Sequence, residues 1–117
     1  MMKRLIMTLC ICCAVTGVQA AGNPAAGKDK SAVCAGCHGA DGNSPTPMFP
    51  KIAGQYENYL VHALKAYKNG ERKNPIMVGM AAPLSDQDIA DLAAFFSRQE
   101  GLHDTPASRL SENRPQP

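Results

Sequence analysis

The sequence has no apolar-polar alternation long enough for a sheet strand, no internal repeat and no clustered basic face. The first absence leaves helices as the regular elements and excludes a β-rich domain. The last argues against nucleic-acid binding, which gathers basic residues on one face or helix. Charge is nearly balanced, with 12 Lys and Arg against 10 Asp and Glu, and Lys3 and Arg4 account for the excess. Cysteine is scarce outside the N-terminal stretch: of five, Cys10, Cys12 and Cys13 precede residue 20, which leaves Cys34 and Cys37. Two cysteines three positions apart build no disulfide framework. The second ligand pair of a zinc ribbon is missing, as is the βαβ pattern that accompanies a thioredoxin-like CxxC.

Residues 1–20 read as a cleaved export signal: Lys3 and Arg4, an apolar run from Leu5 to about Val15, then Val18-Gln19-Ala20 before Ala21. The apolar run is shorter than the ~20 residues a spanning helix needs, so cleavage after Ala20 is expected and an uncleaved anchor is the alternative. Removing residues 1–20 from 117 leaves a mature chain of 97 residues. A chain of that size buries a smaller share of its surface than a large domain and often needs an added staple.

What is present in place of disulfides is Cys34-Ala35-Gly36-Cys37-His38. The C-x-x-C-H pattern reads as c-type haem attachment. On a helix, residues three apart share a face, so both thiols project together and can each add across one porphyrin vinyl group. His38 follows directly and can bind iron through an imidazole nitrogen. Both remaining cysteines are then used, and a buried porphyrin supplies the missing core. Export fits too, since bacterial haem attachment takes place outside the cytoplasmic membrane.

The rest of the chain divides by its punctuation. Asn23-Pro24 caps a first helix over 25–37 that ends in the haem motif. Gly27, costly inside a helix, suggests close contact with another element. Residues 39–54 form a loop through Asp41-Gly42-Asn43, Pro45, Pro47, Pro50 and Gly54, with Met48, Phe49 and Ile52 as apolar anchors expected in the core. Tyr56, Tyr59, Leu60, Ala63, Leu64 and Tyr67 recur at helical spacing, so the tyrosines are expected mostly in the core. One tyrosine hydroxyl is a candidate partner for a porphyrin carboxylate. Residues 71–83 read as a second irregular segment. Ser85 with Asp88 forms a capping box before a last helix over 86–99, whose apolar stripe is Ile89, Leu92, Ala93 and Phe96, with Phe95 alongside. The expected organisation is therefore a signal peptide at 1–20, one all-α haem domain at 21–100 and a disordered polar tail at 101–117.

Iron bound by His38 has one axial position left, and a thioether there raises the potential. Met48, Met77 and Met80 survive cleavage. Met48 lies on the His38 side, whereas Met77 and Met80 lie in a segment able to cross the ring, and chemistry alone does not separate these two. His62 and His103 are weaker alternatives.

The chain resembles the class I c-type cytochromes, in particular one half of the dihaem c4 type and short monohaem relatives. The likeness covers about Ala25 to Gln99. It rests on Gly27-Lys28, Cys34-Ala35-Gly36-Cys37-His38-Gly39, Asp41-Gly42-Asn43-Ser44-Pro45, Phe49-Pro50-Lys51-Ile52-Ala53-Gly54-Gln55, Met77-Val78-Gly79-Met80 and Leu84-Ser85-Asp86-Gln87-Asp88-Ile89. The resemblance implies a small cytochrome c fold of three to four helices around one haem c. It implies that Gly27 lets the first helix cross the last near Phe95. It also implies that the Pro50 carbonyl accepts from His38, that Met77 is the second iron ligand, and that Met80 is a haem-edge contact. Cofactor contacts are then expected at Cys34, Cys37, His38, Pro50, Ile52 and Met77, with His38 and Met77 on the metal. The one departure is a single haem motif where the dihaem members have two.

The function that follows is a periplasmic one-electron carrier, not an enzyme, serving respiratory-chain redox proteins. Its partners would be donors and acceptors that dock transiently, membrane oxidase or dehydrogenase complexes among them. Met80, Ala81, Ala82 and Pro83 are expected at the docking rim. Lys65, Lys68, Arg72 and Lys73 would steer an acidic partner or simply form a solvated face. The rivals are a peroxide- or gas-binding enzyme, for which the Met77 segment offers no distal His or Arg, and an electron-relay subunit of a larger oxidoreductase.

Overall fold

Helix starts are written into this chain by two Asn-Pro pairs and one Ser-x-x-Asp. The computed structural model describes residues 21–102. The expected signal peptide, His103 and all but the first two residues of the expected tail lie outside the described residues. Within them the elements are α1 (Pro24–Lys30), α2 (Ala32–His38), α3 (Glu57–Lys68), α4 (Pro75–Ala81) and α5 (Asp86–Ser97), with no strand. The all-α expectation holds, and the number of helices is five instead of three to four.

Two of the differences are local. The expected first helix is broken at Ser31, whose N–H and hydroxyl both turn back to the Lys28 carbonyl, at 3.2 and 2.8 Å. α2 then starts afresh and carries the whole haem motif. It stops at His38 because Gly39 leaves with φ +83°, a conformation that glycine adopts without strain. The segment expected to be irregular contains α4. Asn74 caps it, its Oδ1 accepting from the N–H groups of Ile76 and Met77 at 3.1 Å each, and Pro75 takes the first turn. This is the arrangement Asn23 and Pro24 make for α1. Gly79 inside a seven-residue helix hid it.

α5 forms the centre of the packing. Ser85 and Asp88 complete the capping box, 2.9 and 3.1 Å, and Ile89, Leu92, Ala93, Phe95 and Phe96 are all buried. The helix ends at Ser97, two residues before the expected Gln99, as fraying ends commonly do. α3 lies against α5 through Leu60, and α4 lies against α3. Lys68 Nζ donates to the Leu84 carbonyl and ties α3 to the turn before α5.

α1 crosses α5 at backbone contact. A Cβ on Gly27 would sit 2.0 Å from the Asp91 carbonyl oxygen and 2.8 Å from Phe95 Cβ, which is the crossing the resemblance implied. The contact is locked by a buried carboxylate. Asp91, 3% exposed, accepts from the Asn23 N–H and Gln87 Nε2 at 2.8 Å each and from Lys30 Nζ at 2.6 Å. Lys30 also reaches Asp88 at 2.8 Å. The hydrogen bonds from Asn23, Lys30 and Gln87 hold the Asp91 carboxyl below the usual carboxylate range.

Gly27→Ala should destabilise the holoprotein by about 3 kcal/mol, the upper range for overpacking a tight contact, read as a lowered denaturant midpoint. Asp91→Asn should cost about 2 kcal/mol near neutral pH, the scale of a charged hydrogen bond. Because the native pKa of Asp91 is depressed, its contribution is complete above the unfolded value of ~3.9 and is lost as pH falls through the lowered native one. Unfolding of wild type and variant against pH should therefore converge in acid.

Candidate functional site

Two residues of the haem motif, Cys34 and His38, face a cavity of about 240 Å³ between α2, α3, α4 and α5. Its walls are mainly apolar: Ile52 from the loop, Leu60, Ala63 and Leu64 from α3, Leu92 and Phe96 from α5. Into this space come Cys34 and His38 from α2 and Met77 from α4. Cys37 does not line the cavity and is half-buried nearby; both thiols are free. Burial, with a smaller contribution from Cys37, pushes the Cys34 thiol up. Among the described residues no three His, Cys, Asp or Glu side chains cluster as metal ligands.

His38 is buried, and its Nδ1 lies 2.7 Å from the Pro50 carbonyl oxygen. A carbonyl only accepts, so Nδ1 carries the proton, which leaves Nε2 as the ring nitrogen that could take a metal. Such an outer partner fixes the ring's orientation and raises its basicity. The loop delivers this carbonyl because the N–H groups of Ile52 and Ala53 both bond the Gly42 carbonyl, at 2.8 and 3.1 Å. Gly54 N–H then reaches the Phe96 carbonyl at 2.9 Å, anchoring the loop to α5.

The three methionines are separated by the fold. Met77 lines the cavity, whereas Met80 and Met48 do not. Met80 is 38% exposed, as a rim residue would be, but Met48 is 81% exposed and so is not the core anchor expected of it. Pro45, Pro47 and Pro50 punctuate the bends and turns that hold Met48 at the surface. Tyr56 and Tyr59 are also exposed, against expectation, because the buried face of α3 is set by Leu60, Ala63 and Ala66. Tyr59 and Tyr67 nevertheless line the cavity. Ala81, expected at the rim, is fully buried. His62 is exposed and does not line the cavity. Lys51, Gln55 and Arg72 do line it, a role not read from the sequence, where only the charge of Arg72 was noticed.

An apolar cavity with one oriented imidazole, one thioether and an adjacent pair of thiols fits a covalently held porphyrin. Fold and site together define a c-type haem protein. The comparisons agree: the family model described as cytochrome c matches residues 24–99, and the chain belongs to the cytochrome c family. Cytochrome c4 of Pseudomonas aeruginosa is 50% identical over 100 residues, covering 85% of this chain and 50% of its own length. Cytochrome c-554(548) of Halomonas halodenitrificans is 48% identical over 83 residues, covering 68% of this chain and 100% of its own. The crystal structure of reduced recombinant cytochrome c4 from Pseudomonas stutzeri superposes with a TM-score of 0.67 at 48% identity, over 79% of this chain and 53% of that one. The chain thus spans about half the length of its cytochrome c4 relatives. Family membership implies haem c.

Cys34→Ala should leave haem held by a single thioether or abolish stable holoprotein. The check is a pyridine haemochrome spectrum, whose band shifts when one vinyl group stays unsaturated.

Proposed function

We propose that the chain is a periplasmic one-electron carrier with one haem c, attached through Cys34 and Cys37 and ligated by His38 and Met77. The observation that carries the reading is that Met77 lines the same cavity as His38, while Met48 and Met80 do not. When bound, the haem supplies an Fe(II)/Fe(III) couple. The protein's part is to hold that couple in fixed surroundings. Pro50 fixes the His38 tautomer; the asparagine cap at Asn74 and the α4 helix fix Met77; and Leu60, Leu92 and Phe96 exclude water. A soft thioether favours Fe(II), and Met/His ligation raises the potential.

Electrons would pass outer-sphere to redox proteins that dock briefly on a small apolar rim formed by Met80, Ala82 and Pro83, all exposed. Redox encounters of this kind use interfaces below ~1,200 Å². Periplasmic placement is supported by the signal-like residues 1–20.

Met77→Ala should lower the midpoint potential, remove the sulfur-to-iron charge-transfer band of the ferric protein and let the ferrous protein bind carbon monoxide. Met80→Ala should leave all three unchanged. If Met80→Ala opens the iron while Met77→Ala does not, the ligand assignment is wrong; if wild type itself binds carbon monoxide readily, the carrier reading fails.

A further inference from the structure

We propose that Arg72 binds a carboxylate of the porphyrin and, by doing so, sets the reduction potential; this rests on the haem reading of the cavity. A haem c brings two carboxylates, and a carboxylate set against apolar walls is costly unless it is paired and hydrogen-bonded. Lys51 and Arg72 are the two Lys or Arg side chains that line the cavity.

Arg72 is the better prepared of the pair. Its guanidinium carbon sits 4.7 Å from the centroid of the Tyr67 ring, itself a cavity wall. Its backbone N–H returns to the Ala66 carbonyl at 3.1 Å, a bend that Gly70 permits with φ +76°. Among the described residues no acidic side chain forms an ion pair with it; the three ion pairs there use Lys30 and Lys65. A guanidinium held by a ring face keeps its planar donor fork available for a carboxylate. Lys73, one position on, carries the same charge but does not line the cavity. The pair therefore separates contact from long-range charge.

A cation paired to the porphyrin favours Fe(II), the less positive state of the iron, so its removal should lower the potential. The experiment is redox titration of holoprotein in wild type, Arg72→Gln, Arg72→Lys and Lys73→Gln, at low salt and at 1 M salt. Arg72→Gln should reduce the Fe(II)/Fe(III) ratio at fixed poise by about tenfold, 59 mV for one electron. The shift should persist at 1 M salt, where the screening length is ~3 Å and only a contact survives. Arg72→Lys, a point charge without the fork, should give a smaller fall. Lys73→Gln should move the potential little at low salt and not at all at high salt.

Equal shifts in Arg72→Gln and Lys73→Gln, or an Arg72→Gln shift that vanishes at high salt, would overturn the proposal. Should Arg72→Gln fail to accumulate, Arg72→Lys decides, and an unchanged potential there counts against the contact. Wild type that carries covalent haem while Arg72 variants keep its potential refutes Arg72 alone. Wild type without covalent haem, plain in its absorption spectrum, refutes the haem reading and the proposal with it.

Discussion

Everything at the site depends on how closely α1 approaches α5. With glycine at position 27 the two backbones touch, and Asp91 converts the touch into a fixed register by bonding both the start of α1 and the lysine at its end. Once α1 is placed, the chain turns at Ser31 into α2, and Cys34 and His38 come to line the same cavity as Leu92, Ala93 and Phe96 of α5. The haem motif is thus positioned from outside itself. Cys34 to His38 carries the motif, and a buried carboxylate far along the chain supplies its place.

The histidine is held in the same manner. Its tautomer is set by a carbonyl from a proline-rich loop, and that loop is held by backbone bonds to Gly42 and to α5. Proline suits the position because its own nitrogen has no hydrogen to satisfy, while its carbonyl remains a full acceptor. Another wall of the cavity is built differently, from a short capped helix that carries Met77. One wall is a loop pinned at its ends and the other a helix pinned at its start.

Much of this was legible in the residues. C-x-x-C-H gave the attachment chemistry, Ser85 and Asp88 the start of α5, and the stripe from Ile89 to Phe96 its buried face. The resemblance added the Pro50 contact, which no spacing rule yields because residues 38 and 50 meet only through loop closure. What stayed hidden has physical reasons. α4 was missed although Asn74-Pro75 repeats Asn23-Pro24, since one glycine in seven residues weakens every periodic signal. Asp91 carries no signal of its own in the residue pattern, because its three partners come from both ends of α1 and one turn of α5. Tyr56, Tyr59 and Met48 lie outside against expectation because size and apolarity alone do not mark the inward face, and Leu60 with two small alanines sets the face of α3. Arg72 reaches the cavity only because the chain turns back after α3, and a charge pattern does not record a turn.

The cavity draws its walls from residues 34 to 96, most of the described length of the chain. An occupant tethered to α2 stays with the polypeptide when the fold opens, so its return to the pocket is a unimolecular event. Its effective concentration is set by the chain and not by the surrounding solution. Stability gained from filling the cavity would then not depend on how much free cofactor is present, as it does for a ligand that dissociates. A small domain built in this way keeps its core at any dilution.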